Sequence, residues 1–135
     1  MAFNRRADLN DRNNKDIDRV GRYFFKEYFN MINFHEIEQV ANRLGVAANA
    51  ERVILFGSYA RGDAREHSDV DYMIIAESTL PRFKRSRELY KVLRPHPFGM
   101  DIVVYTPEEI ERGKRTPVSF VSSVLQEGKI LYERH

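Results

Sequence analysis

Four consecutive apolar residues, Val53-Ile54-Leu55-Phe56, run unbroken into Gly57. A run without alternation has no face to offer to water, so it reads as a strand over 51–56 that is covered on both sides. A second strand is predicted over 69–75, alternating at first (Asp69-Val70-Asp71) and then wholly apolar. A third, Met100–Tyr105, carries Asp101 as its one charged residue. Helical spacing fills the intervals. Asn33 is placed to cap a helix with Glu36 as its reciprocal partner, Ile37, Val40, Ala41 and Leu44 form its apolar stripe, and Gly45 is expected to stop it. Leu80–Leu93 reads as a helix entered through Pro81. Thr106-Pro107-Glu108-Glu109 reads as a strong helix start, with that helix ending at Gly113. Thr116-Pro117 opens another, with Val118, Val121, Ser122 and Leu125 on one side and Gly128 closing it, and Lys129–Glu133 reads as a short edge strand. These elements predict an α/β fold: a small mixed β-sheet with helices packed on it.

Upstream, residues 1–15 are polar and without periodicity. From Asp16 to Ile32 the residues Ile17, Val20, Phe24, Tyr28 and Met31 recur at helical steps, and five of the chain's sixteen Phe and Tyr residues fall between Tyr23 and Phe29. An aromatic helix over 16–32 is expected, packed either on the chain's own core or on a second subunit or partner, since aromatics are enriched at interfaces. The domain division is therefore 1–32, a polar start and aromatic helix, and 33–135, the main domain. The chain has no cysteine, which excludes disulfide scaffolds, zinc fingers and thiol nucleophiles and fits a reducing cytoplasm. No apolar stretch approaches the ~18 residues of a membrane span, and the start has no apolar core of a secretory signal. With 22 Lys and Arg against 20 Asp and Glu, the net charge of +2 is too slight to favour duplex nucleic acid as partner.

The chemistry lies in Gly57-Ser58-Tyr59-Ala60-Arg61-Gly62 and in Ser68-Asp69-Val70-Asp71. Strand periodicity puts Asp69 and Asp71 on one face. Two bare carboxylates so close resist joint ionisation and call for an offsetting charge, a divalent cation or a basic side chain. Oxygen donors without clustered histidine or cysteine favour Mg²⁺ or Mn²⁺ over Zn²⁺. If the strands of Asp71 and Asp101 are neighbours, three acids meet at one strand end. Two ions held ~3.5–4 Å apart there stabilise both the attacking and the leaving oxygen of a phosphoryl displacement. Gly57 admits a phosphate to the backbone, where N–H groups and the Ser58 hydroxyl bind it. Arg61 either adds a cation near the phosphates or anchors the loop to an acid.

Gly57-Ser58, ten residues, then Asp69-Val70-Asp71 resembles the signature of the polymerase-beta-type nucleotidyltransferase superfamily. With Ala60-Arg61-Gly62 and Ser68 it resembles the superfamily's minimal, MntA-like members. The motif core covers 53–75 and, with Asp101 and the closing elements, about 53–133. The resemblance implies transfer of a nucleoside monophosphate, AMP from ATP, to a hydroxyl with release of pyrophosphate. It implies Gly57, Ser58, Arg61 and Ser68 at the nucleotide, Asp69 and Asp71 on two Mg²⁺ ions, and Asp101 on the catalytic ion and helping to deprotonate the acceptor. It further implies an antitoxin role beside a HEPN-domain toxin, silenced by AMP on a tyrosine. With 33–135 taken up by this fold, no second domain is expected to grip an acceptor, which favours one delivered by a partner. Two alternatives stay open: transfer to a small molecule, and a non-catalytic antitoxin that binds its partner. Arg82, Lys84, Arg85, Arg87, Lys91 and Arg94, against the single acid Glu88, read as a solvated helix face or as a surface for an anion.

Overall fold

The computed structural model describes residues 32–135 and, upstream, the backbone of four more, in which β1 (Ile17–Asp18) pairs antiparallel with β2 (Gly21–Arg22). At those four positions the structure departs from the expected helix. Gly21, a poor helix former, lies within the strand pair. The rest of that expectation, with the aromatics of 23–29 and the contact surface assigned to them, lies outside the described residues. The chain divides into two compact units, 1–33 with 65–67, and 34–64 with 68–135. The second holds everything described below.

Its elements follow the predicted order: α1 (Phe34–Ala48), β3 (Arg52–Phe56), the single turn α2 (Ser58–Arg61), β4 (Val70–Ile75), a 3₁₀ turn (Arg82–Lys84), α3 (Arg87–Val92), β5 (Met100–Tyr105), α4 (Pro107–Lys114), α5 (Phe120–Glu127) and β6 (Lys129–Glu133). The sheet runs β5-β4-β3-β6. β4 is antiparallel to β3 and parallel to β5, and β6 closes the far edge antiparallel to β3 with a register shift at Val53/Ile54. Both faces are covered, as the apolar run of β3 requires. Ile54, Met73 and Ile75 pack with Ile110, Val121 and Val124 of α4 and α5. On the opposite face the Tyr72 hydroxyl reaches across to donate to the carbonyl of Ile37 in α1 (2.8 Å). Among the described residues no helix is long and apolar enough to cross a membrane.

Three boundaries differ from the sequence expectation. Gly45 does not end α1. It lies inside the helix, where the ring of Tyr132 occupies the space of a Cβ, and the helix runs to Ala48. Asn49 takes the left-handed conformation instead (φ 50°), and the N–H of Ala50 closes back onto the Gly45 carbonyl (2.9 Å). α5 opens at Phe120 rather than at Thr116-Pro117, because Ser119 is the cap: its hydroxyl accepts from the N–H of Ser122, while Val118 is 93% exposed. Leu80–Leu93 breaks into a 3₁₀ turn and a short helix because Arg85 turns inward.

The Arg85 guanidinium is 8% exposed. It donates to both carboxylate oxygens of Glu109 (2.6 and 3.2 Å) and to the carbonyls of Leu80 (2.8 Å) and Val104 (3.2 Å). Arg82 lies over the Tyr105 ring at 4.4 Å and 3.6 Å from Glu109. One of the six cations read as a solvated face, Arg85, is therefore an internal fastener, while Arg82 stays about half exposed beside it. Glu109 also completes the predicted start of α4, accepting from the N–H of Thr106 while the Thr106 hydroxyl accepts from its own N–H. These donors hold the Glu109 carboxyl down at about 2, first through the hydrogen bond from Arg85, with burial pulling the other way.

A folded-state value below the unfolded 4.5 contributes stability that is present above pH ~4.5 and lost as pH falls toward ~2. Glu109→Gln should cost about 2–3 kcal/mol at neutral pH. Its deficit relative to wild type should shrink as the pH drops through that window. Urea unfolding of both proteins across that pH range checks this; a deficit independent of pH would refute the ion-pair account.

Candidate active site

Parallel pairing places Asp71 of β4 directly opposite Asp101 of β5. Residues paired this way project to the same face. Asp69, one residue before β4, shares that face by its spacing of two. Its carboxylate lies against Gly99, where a Cβ would stand, and the Gly99 carbonyl accepts from the N–H of Val70 (3.0 Å). The sheet thus brings the three predicted acids to one end, at the start of two parallel strands.

The electrostatics agree with that crowding. Asp71, half-buried, is pushed up to about 6, first by burial and then by the charges of Asp101 and Asp69; a hydrogen bond shared with Asp101 adds to the rise, and the charge of Arg61 opposes it. With no cation present, Asp71 therefore takes up its proton near pH 6 rather than near 4. The donor set is oxygen-only and anionic, which suits a hard divalent cation. Among the described residues no three His, Asp or Glu side chains already close around one point. What the fold supplies is a carboxylate pair with a third acid on the same face, close enough for its charge to act on Asp71.

The predicted glycine–serine bend stands against this pair. Phe56 is the register partner of Asp71, so Gly57 follows directly. It adopts φ 76° and ψ −156°, and an oxygen of Asp71 fills the place a Cβ would take. Both facts restrict the position to glycine. Ser58 opens α2, whose single turn is built on the Gly57 carbonyl accepting from the N–H groups of Ala60 and Arg61 (3.0 Å each). Arg61, about half exposed, donates from Nε to Asp63 (3.2 Å) and from Nη1 to Glu127 (3.5 Å). Ser68 is half-buried, one residue ahead of Asp69.

Two residues near the acids had no signal in the sequence. Glu127, the last residue of α5, accepts from the N–H of Gly57 (2.9 Å) as well as from Arg61. Tyr90 of α3 sits on the open edge of β5, its hydroxyl accepting from the N–H of Ile102 (2.8 Å) and donating to the carbonyl of Met100 (3.5 Å), on either side of Asp101. Burial raises the Tyr90 hydroxyl, the hydrogen bond with Ile102 opposes the rise, and the charges of Asp101, Asp69 and Asp71 add to it. Neither residue carries a motif. Each is defined by what it meets across the fold.

A family profile described as "Polymerase beta, Nucleotidyltransferase" matches residues 35–135. The chain belongs to that family. Two relatives in Methanocaldococcus jannaschii, both named "Putative protein adenylyltransferase", are 38% identical to it. One matches over 90 residues, 61% of this chain and 58% of its own length; the other over 74 residues, 55% and 71%. This nucleotidyltransferase-family chain thus spans little more than half the length of the first. A crystal structure of a "putative nucleotidyltransferase" from Sulfolobus solfataricus shares the fold, with a TM-score of 0.52 and 20% identity over 73% of this chain and 78% of that one. A toxin–antitoxin complex crystallised with AMP-PNP matches at a TM-score of 0.47 and 25% identity over 73% and 74%; at that score the match bears on neither ligand nor partner.

With no cation at the site, the Asp71 proton has a thermodynamic sign. A folded value near 6, above the ordinary 3.8, means that protonation favours the folded chain; this contribution is complete below pH ~4 and lost as pH rises through ~6. Asp71→Asn removes the dependence. In EDTA the variant should therefore gain on wild type by about 1–2 kcal/mol between about pH 4.5 and pH 7.5. Denaturant unfolding at the two pH values measures it, and an unchanged gap would refute the raised Asp71 value.

Proposed function

We propose that this chain transfers AMP from ATP to a hydroxyl group, the acceptor being a tyrosine of a HEPN-type toxin partner that the modification silences. The observation that carries the proposal is the register of Asp71 with Asp101, beside the Gly57-Ser58 bend. Membership of the nucleotidyltransferase family supports the reaction class. The names of the Methanocaldococcus relatives support AMP as the group moved and a protein as the acceptor. The toxin partner and its tyrosine rest on the resemblance of the Gly57–Asp71 motif to minimal members of the superfamily.

In this reading Asp69, Asp71 and Asp101 hold two Mg²⁺ ions, with Mn²⁺ able to replace them. Bound there, the ions neutralise the phosphates and the charge that develops on the attacking and leaving oxygens. The chain's own residues do the rest. The Gly57-Ser58 bend and Ser68 hold the triphosphate. Asp101 accepts the proton of the acceptor hydroxyl, whose oxygen forms a bond to the α-phosphorus as the bond to pyrophosphate breaks. Burial of Asp71 against Gly57 fixes the carboxylates before the substrate arrives, so little reorganisation is left for the reaction itself.

Incubation with labelled ATP, Mg²⁺ and the product of the neighbouring gene tests this. Label should appear on a tyrosine of that protein, vanish in EDTA, and fall about a hundredfold or more in Asp69→Asn and Asp71→Asn. A partner that is inhibited but unlabelled would replace transfer with binding, and label on a small-molecule acceptor instead would move the substrate class.

A further inference from the structure

We propose that Glu127 is the positioning residue of the glycine–serine bend, and that Arg61 acts by holding Glu127 rather than by touching the nucleotide. The proposal rests on the nucleotide-binding reading of that bend and assigns the part played by two side chains around it. One Glu127 oxygen accepts from the backbone N–H of Gly57 at 2.9 Å, and the other from Arg61 at 3.5 Å. Gly57 is the residue that most needs such a fastener. Its φ of 76° with ψ of −156° is a conformation with little intrinsic preference for one shape over others, and the Asp71 carboxylate is packed against it. If the bend relaxes, the seat of Asp71 and the place of Ser58 change together.

The origin of Glu127 is itself fixed. The N–H of Gly128 bonds to the Val124 carbonyl (2.8 Å), and Gly128 lies against Ile54 and the carbonyl of Leu55 in β3. The last turn of α5 is thereby pressed onto the strand that delivers Gly57. Arg61, held at its other side by Asp63 (3.2 Å), pins the far oxygen. The carboxylate is about 30% exposed and the guanidinium about half, so the pair is a directional clamp near the surface rather than a buried charge. The Gly57 N–H is also committed: it donates to a carboxylate, and the bend's contribution to phosphate binding falls to the groups that follow it.

Amide hydrogen exchange at Gly57 reads the clamp without any need for activity. Protection seen in wild type should fall about tenfold in Glu127→Ala and be largely retained in Glu127→Gln, whose amide oxygen still accepts from Gly57. Titration with a fluorescent ATP analogue and Mg²⁺ reads the consequence. Glu127→Ala should weaken binding about tenfold and lower kcat with it, because Asp71 moves with the bend, and Glu127→Gln should return to within about threefold of wild type. Arg61→Ala should weaken binding in the wild-type background and add nothing in Glu127→Ala. Unchanged Gly57 exchange in Glu127→Ala overturns the clamp. The same loss from Arg61→Ala in both backgrounds overturns its indirect role and puts the guanidinium on the nucleotide. If wild type binds no nucleotide, the function proposed above fails, while the Gly57 exchange still decides whether Glu127 holds the bend.

Discussion

The parallel pairing of β4 with β5 sets Asp71 and Asp101 side by side, and every feature of the site follows from that register. Two carboxylates in contact repel, and the upward push on Asp71 to about 6 comes first from its burial and then from the charges of Asp101 and Asp69. The opposing force is supplied farther along the same strands. Val70, Tyr72, Met73 and Ile74 are fully buried, and Ile102 and Val104 nearly so. At about 1.5–3 kcal/mol for each large apolar side chain removed from water, their burial outweighs a combined burial and repulsion penalty of about 2 kcal/mol several times over. The acids sit where the apolar run stops, at the strand starts, so the charge stays at the rim and the core keeps its geometry.

What was legible in the sequence was what repeats or what stands next to itself. The run 53–56, the alternation that turns apolar after Asp71, and the isolated charge in Met100–Tyr105 each encode a strand in a few adjacent residues. All three appear within a residue of their expected bounds. Asp69 and Asp71 share a face by arithmetic alone. The neighbour relation between Asp71 and Asp101 was stated only as a condition, because strand order is set by packing and not by local pattern. Glu127 was invisible for the same reason: it meets Gly57 across 70 residues of chain, and a glutamate at the end of an amphipathic helix has no periodic signature. Arg85 misled because a run of cations looks solvated until one of them finds a buried carboxylate. Gly45 misled because glycine serves equally as a helix stop and as a seat for an aromatic ring.

The errors in helix boundaries share one physical source. Side chains from distant elements decided where each helix began or ended: Tyr132 lies over the glycine inside α1, Arg85 draws its segment inward, and the hydroxyl of Ser119 caps α5 while also donating to the carbonyl of Gly113 (2.8 Å). Strand bounds were less exposed to this effect because both faces of the sheet are buried and a shift of one residue would invert every side chain. The candidate site inherits that security for its acids, which are carried by strand register. Its bend has no such protection, being a single turn of four residues.

This contrast explains why the bend is tied from several directions. β3 brings Gly57 just past the Phe56–Asp71 pair by antiparallel register, Asp71 closes over it, and α5 reaches it through Glu127. Each tie uses a different element and a different kind of force: backbone pairing, close packing, and a charge-assisted hydrogen bond. A short turn has too few internal hydrogen bonds to define its own shape, since nucleating one turn fixes several dihedrals for a single bond gained. Its conformation must therefore be imposed by its surroundings, and the carboxylates and the bend hold their places relative to one another only because both are fastened to the same pair of central strands.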